Sequence, residues 1–379
     1  MKSVTLRFSI EEYAQRVASV REHMREKNVD LLLIDQTEFL FYLTGFGLSL
    51  NMYRACLLPL EGDPVMIFRG IDQSTFEETS WLKRCVLFSD WEDPVSVVAQ
   101  TITREFSSQN LRIGIDEDSY CMTLKRFREF QSLLPHATWV DFSGVLEEVR
   151  ECKSEQEIAY LREAGRIADL GLEAILANTG AGKTERQAAA IVSRVFLENG
   201  ADNARSAIIT SGVGNSFLHG HLHDTPLKEG DIMHMELLPY LHGYSARLMR
   251  PAVIGDASPE QRRAAELMLE IQDRQFASIR PGALASEVDA IARDAMLSHG
   301  LRESYINITG YSLGHYPASS PHTSDFSRVF LPKASWKLKP GMVFHMYLSA
   351  SGLGFSETIA VTSDGYERLT PSTRKMFVV

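Results

Sequence analysis

Cysteine is scarce in this chain: four in 379 residues, at Cys56, Cys85, Cys121 and Cys152. No two stand at CxxC spacing, which excludes a zinc knuckle or a thioredoxin-like redox motif. So few widely spaced thiols suit a reducing cytoplasm. Long apolar runs are missing too. No stretch reaches the roughly 18 to 20 uncharged residues that a membrane span requires. The opening MKSVTLRFSIEEYAQR carries charge where a secretory signal needs an apolar segment, and a cytoplasmic location is the expectation. Positive charge is not in excess. A net charge of -10 disfavours nucleic acid and anionic membrane surfaces as partners, since neither attracts an acidic body. Low-complexity segments and long linkers are also absent. What remains is an ordinary globular composition, 44% hydrophobic and 23% charged. The chain is too long for one ordinary core, so two domains are expected.

Along the chain, Tyr13, Val17, Val20 and Met24 recur at helical spacing and predict a helix over 10–29. LLLID (31–35), ACLLPL (55–60), PVMIF (64–68) and RIGID (112–116) read as strands, and 123–133 as a helix. This alternation predicts an α/β N-terminal domain over 1–148. A second domain over 149–379 opens with a long helix capped by Ser154 and Glu157. Further helix starts are read at Thr184 to Gln187, at Ser258 with Pro259 in the first helical position, and at Ser286 to Asp289. TGAGKTERQAAAIVSRVFLENG and RPGALASEVDAIARDAMLSHG each follow a long helix, end in Gly and precede strands. They read as a degenerate internal duplication, with strands on one side and paired helices on the other.

Most of the chemistry is concentrated in Ser211 to Arg250. GAGKT (180–184) is not a P-loop, because it follows a helix and the motif's first glycine would fall at Ala177. His219, His221 and His223 alternate as metal ligands on a strand could, but Asp224, Thr225 and Pro226 follow at once. One functional histidine on a loop is the favoured reading. Glu236 lies in the apolar run IMHMELLPY, where an unpaired carboxylate costs several kcal/mol. It is either a site residue or the partner of Arg247 or Arg250. Glu357 stands in another apolar run, LGFSETIAV, as a second acid of the site or an acid facing water.

Taken in order, KSEQEIAYLREAGRIAD, LKEGDIMHMEL, GYSARLMRP, LKPGMVFHM and GFSETIAVTSDGYERLT resemble the catalytic domain of the pita-bread family. That family includes methionine aminopeptidase, prolidase, aminopeptidase P, creatinase and ectoine hydrolase. EFLFYLTGF and LPLEGDPVMIFRGID resemble the smaller N-terminal domain of creatinase and ectoine hydrolase. The resemblance implies an α+β chain: a small α/β domain followed by a pita-bread domain with an internal pseudo-twofold duplication. It also implies a homodimer in which GFGLSLNMYR (45–54) covers the partner's cleft.

The metallopeptidases of the family hold two metal ions on Asp, Asp, His, Glu and Glu. The matching positions here carry Glu236, Arg247, Tyr311, Tyr347 and either Ser356 or Glu357. A permanently charged guanidinium repels metal ions, and tyrosines are poor ligands for Mn²⁺, Co²⁺ or Zn²⁺. The resemblance therefore points to a metal-free branch, with no metal and no cofactor. His219, eleven residues before Gly230, has the spacing of the proton-transfer histidine of creatinase and ectoine hydrolase. GYSLGHYPASSP (310–321), which holds His315, looks closest to the ectoine hydrolase version. Met249, where creatinase has a glutamate, counts against creatine.

The implied reaction is metal-free hydrolysis of a C–N bond in a small amide or amidine compound. Glu236 serves as nucleophile or general base, His219 as proton shuttle, and Glu357 as partner of the substrate's cationic nitrogen. Arg247, Arg250, Tyr311, Tyr347, His315 and Arg54 bind the substrate. The alternatives are a metal-dependent Xaa-Pro peptidase, an osmolyte lyase, and a non-catalytic ligand-binding relative.

Overall fold

The helix expected over 10–29 forms as α1 (Ile10–Glu26), burying Tyr13, Val17, Val20 and Met24. Ser9 starts it by accepting a hydrogen bond from the Glu12 N–H at 3.1 Å. The structure is a computed structural model that describes residues 4–47, 51–106, 110–205, 207–212, 217–324 and 326–379. It divides into two compact units. The first runs to Arg150 and takes in Ser319–Pro321, and the second comprises the rest from Glu151 onward.

In the first unit, β1 (Leu31–Ile34), β2 (Ala55–Pro59), β3 (Val65–Arg69), β4 (Cys85–Phe88), β5 (Arg112–Ile115) and β6 (Thr138–Asp141) form a mixed sheet in the order β4-β3-β2-β1-β5-β6. One face packs on α1 and α2 (Thr37–Thr44) through residues such as Val20, Leu40 and Leu58, with α3 (Gln73–Thr79) and α6 (Val145–Val149) on the same side. The other packs on α4 (Pro94–Glu105) and α5 (Leu124–Leu133). β4 and β6, which were not read from the sequence, are four-residue edge strands and mostly half-exposed. Arg54, expected to bind substrate, is buried within this unit. Its guanidinium donates to the Asp35 carbonyl at 3.1 Å and to the Thr37 hydroxyl. Asp35 in turn accepts from Tyr53 Oη at 3.0 Å and Ser119 Oγ at 2.5 Å. Arg54 is thus committed to its own domain's interior, which corrects its expected role. Of the segment expected to cover a partner's cleft, residues 48–50 lie outside the described residues.

The second unit repeats one pattern. Helices α7 (Glu155–Asn178) and α8 (Glu185–Glu198) precede β7 (Ala207–Gly212) and β8 (Ile232–Leu237). A short hairpin, β9 (Tyr240–Leu241) and β10 (Tyr244–Ser245), then leads into β11 (Leu248–Val253). Helices α9 (Pro259–Ala277) and α10 (Ala285–Ser298) precede β12 (Gly310–Ser312), β13 (Val329–Phe330), β14 (Val343–Ala350) and β15 (Leu353–Val361). The sheet order is β13-β12-β14-β15-β11-β8-β7, with β16 (Tyr366–Arg368) on β15 and β17 (Phe377–Val378) on β11. Read outward from the β11–β15 seam, β8 and β7 mirror β14 and β12, as the internal duplication predicts.

α7, α8 and α9 open with the expected capping boxes. α10 does not: its N-cap is Leu284, without a side-chain bond. Asp289, read with Ser286 as part of the helix start, is instead buried against Arg293 at 2.7 and 2.9 Å and Thr309 at 2.7 Å. Among the described residues, no helix is long and apolar enough to cross a membrane.

Candidate active site

β8 is buried along its whole length. Met233, Met235 and Leu237 face the α7–α8 core, so the period-2 alternation turns His234 and Glu236 to the other side of the sheet. The strand register then aligns a row of side chains across the sheet: Ile208, Glu236, Met249, Ser356 and Tyr347, each from a different strand. Beside it runs a second row, Thr358, His345 and Tyr311. Arg247 joins this row through two bonds with Thr358, its N–H donating to Oγ1 at 2.7 Å and its carbonyl accepting from Oγ1 at 3.0 Å.

The β9–β10 hairpin brings Arg247 there. Its turn places His242 at φ 53° and Gly243 at φ 84°, the left-handed pair of a type I′ turn. A Cβ on Gly243 would also lie 2.5 Å from His315 Nε2. Asp202 fixes the turn by accepting from the N–H groups of His242 at 2.9 Å and Gly243 at 2.7 Å.

These rows floor a cavity of about 310 Å³, lined by Ile208, Glu236, Met249, Arg247, Tyr311, His345 and Tyr347 together with His219, Arg205, Leu238, Ile308, Thr323 and Phe326. That volume is at the small end of the range for ligand pockets. His219, Glu236, Arg247, Tyr311 and Tyr347 are therefore brought together. Tyr311 stands in an aromatic wall, 5.0 Å from Phe326, 5.1 Å from His345 and 6.1 Å from Tyr347 between ring centres.

Arg247 Nη1 lies 3.9 Å from Glu236 Oε1. It donates instead to the Tyr311 hydroxyl, and Nη2 donates to the Thr323 carbonyl at 3.1 Å. Arginine can only donate, so the phenol oxygen accepts from it. The phenol hydrogen is then directed to His345 Nδ1, 2.8 Å away. This assigns the remaining ring hydrogen of His345 to Nε2, a buried nitrogen with no hydrogen-bond partner among the described residues.

Burial sets the protonation of the site. It raises the Glu236 carboxyl above the usual carboxylate range, with Arg247 and His219 pulling in the opposite direction. It pushes the Tyr311 phenol up and that of Tyr347 to about 12, so neither is a phenolate at neutral pH. It holds His345 well below the usual histidine range and His234 at about 4, so both rings are neutral.

The side chains present do not fit a dinuclear metal centre. Among the described residues, Glu236 is the only carboxylate lining the cavity, and a permanent cation stands 3.9 Å from it. Among the described residues, no three His, Cys, Asp or Glu side chains are grouped to hold a metal ion.

Three expected site residues lie elsewhere. The register places Ser356 in the floor row, opposite Met249 and Tyr347, so Glu357 projects to the other face. There its Oε1 accepts from Arg250 Nη2 at 2.8 Å and stands 3.2 Å from Arg374 Nε, while Oε2 accepts from Thr370 at 2.6 Å. Arg250 also donates to the carbonyls of Met249 and Ser356, both at 2.9 Å. Glu357 and Arg250 form a buried ion pair that ties strands together, and neither lines the cavity, which corrects both expectations. His315 packs its ring 5.1 Å from Tyr244, outside the cavity lining, and is corrected likewise. Sequence reasoning missed His345, Thr358 and Arg205. A histidine two residues before Tyr347 on one strand was the available signal for the first.

Comparison with known proteins agrees with this architecture. Residues 159–363 match the family model of metallopeptidase family M24, and residues 16–152 that of the creatinase/prolidase N-terminal domain. Ectoine hydrolase of Halomonas elongata is 28% identical over 402 residues, covering 100% of both chains. An Xaa-Pro dipeptidase of Pyrococcus furiosus is 24% identical over 365 residues, covering 96% of this chain and 99% of its own. Among solved structures, the prolidase of Thermococcus sibiricus superposes with a TM-score of 0.83 at 24% identity, covering 98% of this chain and 100% of its own. That likeness establishes a shared pita-bread fold.

Proposed function

The chain belongs to metallopeptidase family M24 and is a hydrolase of that family; from this premise we propose that it hydrolyses a C–N bond in a small amide or amidine compound without a metal ion. The observation that carries this is Arg247 beside Glu236, on ground where the family resemblance puts metal ligands. The ectoine hydrolase of Halomonas elongata aligns over the full chain, and the cavity suits a small metabolite.

In this reading water attacks the electrophilic carbon and Glu236 takes its proton, or Glu236 attacks directly and water releases the product. Poor solvation makes the carboxylate a stronger base. His219 delivers a proton to the leaving nitrogen. Arg247 and the buried Nε2–H of His345 bind the oxygen on which negative charge develops. Glu357 takes no part.

A second reading, a metal-dependent Xaa-Pro dipeptidase, is favoured by the dipeptidase relatives. One experiment separates the two: ectoine, hydroxyectoine, creatine and Xaa-Pro dipeptides are assayed with and without chelator. Chelator-resistant cleavage of ectoine or a related small amide is the expected result. Dipeptide cleavage abolished by chelator and restored by Mn²⁺ or Zn²⁺ returns the enzyme to the peptidases.

A further inference from the structure

Glu185 is the first residue of α8, just after the rejected GAGKT segment. A carboxylate there is ordinarily solvated and interacts favourably with the helix dipole. This one is 1% exposed, and the donors bonded to it all come from outside the helix. Its Oε1 accepts from the Ser211 N–H at 2.6 Å and the Ser211 hydroxyl at 2.7 Å. Its Oε2 accepts from the His223 N–H at 2.7 Å and contacts His223 Nδ1 at 2.9 Å.

Ser211 lies at the end of β7, and His223 follows the turn that carries His219. One buried carboxylate thus grips the chain on both sides of His219. Two further contacts continue the attachment: Arg186 Nε donates to Asp224 at 2.6 Å, and the Leu227 N–H donates to the Lys183 carbonyl at 2.7 Å. Nothing in α8 needs this arrangement, since Thr184 and Gln187 already complete its capping box.

We propose that Glu185 is a positioning residue that holds His219 over Glu236 in the cavity. The proposal rests on the reading of His219 and Glu236 as one site. Without the carboxylate, two backbone N–H groups, a hydroxyl and a ring nitrogen lose their shared acceptor, and the His219 segment is free to move relative to the sheet.

The test needs no substrate. The His219 ring signals are followed by NMR in wild type, Glu236→Gln, Glu185→Gln and the double variant. Exchanging a neighbouring carboxyl for an amide changes the field and hydrogen bonding at the ring whichever form the carboxyl is in, so Glu236→Gln moves the His219 ring signals in the wild-type background. In the Glu185→Gln background that response is expected to shrink to less than about half, the signature of lost coupling between the two sites. His223→Ala removes only one contact, from a half-exposed ring, and serves where Glu185→Gln does not fold; its expected effect is intermediate. An undiminished response in whichever of the two folds overturns the proposal. No response to Glu236→Gln in the wild-type background shows that His219 and Glu236 do not share a site. That overturns the functional reading itself, together with the proposal.

Discussion

The Arg247 guanidinium stands 3.9 Å from the Glu236 carboxylate with both side chains buried, close enough to attract and too far to hydrogen-bond. Arg247 directs one N–H of Nη1 at Tyr311 and one of Nη2 at Thr323 rather than at Glu236, which leaves Glu236 available to water or substrate and leaves Arg247 further N–H groups for an oxyanion. Arg247→Met keeps most of the packing and removes the charge. Turnover is expected to fall at least about a hundredfold. The acid limb of the pH–rate profile is expected to move further up, because the cation no longer favours the ionised carboxylate. A profile unchanged from wild type counts against the pairing.

Glu236→Gln is expected to lower kcat by about 100-fold or more while raising thermal stability at neutral pH. Burial raises the carboxyl's pKa in the folded state, so the protonated acid is the form that folding favours. The stability it contributes is present at low pH and lost as pH rises through the folded-state pKa. Glutamine avoids that loss, and the gain in melting temperature should shrink as pH falls towards the ordinary carboxylate range. The same shift places the acid limb of wild-type activity above about pH 4.3, the unperturbed glutamate value. Scanning calorimetry across pH checks the first point, and a pH–kcat series the second.

Tyr311→Phe deletes one hydroxyl and strands two buried groups, the Arg247 donor and His345 Nδ1. A cost of about 1–3 kcal/mol in stability follows from the lost hydrogen bonds, measurable by denaturant unfolding. The His345 tautomer should change with it. Nitrogen shifts of the His345 ring report a hydrogen on Nε2 in wild type, and a mixture once the phenol is gone.

Glu357→Ala separates structure from chemistry. It leaves the buried Arg250 without its carboxylate, beside a half-buried Arg374 that keeps Asp273, and breaking such a buried pair costs about 3–5 kcal/mol. The fraction that folds is expected to retain kcat within about threefold, because the residue faces away from the cavity. A hundredfold fall in kcat for the folded protein, with stability unchanged, would falsify this assignment.

The contrast between Ser356 and Glu357 shows how far the sequence could be read. The helix starts at Ser154, Thr184 and Ser258 were legible because each capping box is written within four residues. Glu236 was legible because charge inside an apolar run is costly wherever it faces, and Arg247 because the family resemblance set it at a metal-ligand position. β15, however, is buried on both faces from Leu353 to Val361. Hydrophobic alternation is then lost, and with it the signal that says which of two adjacent polar residues faces the site. Arg250 and Glu357 misled for that reason, since their charges are matched across strands more than a hundred positions apart in the chain. Glu185 gave no signal in the sequence, because the chain that buries it arrives 26 and 38 residues later.

The row Ile208–Glu236–Met249–Ser356–Tyr347 takes one side chain from each of five strands. No two of these positions are neighbours in the chain, and the backbone beneath them is held by ladder bonds between strands, with one side-chain bond at Ser356, whose Oγ accepts from the Met249 N–H at 2.7 Å. Apart from Ser356, each position can therefore be exchanged by a single substitution while the other four keep their places. A sheet of this kind works as an interchangeable keyboard, on which the same frame can present ligands for a metal pair or, as here, an acid, a thioether, a hydroxyl and a phenol. Changes of reaction within such a frame need no insertions, no new loops and no loss of the folded state along the way.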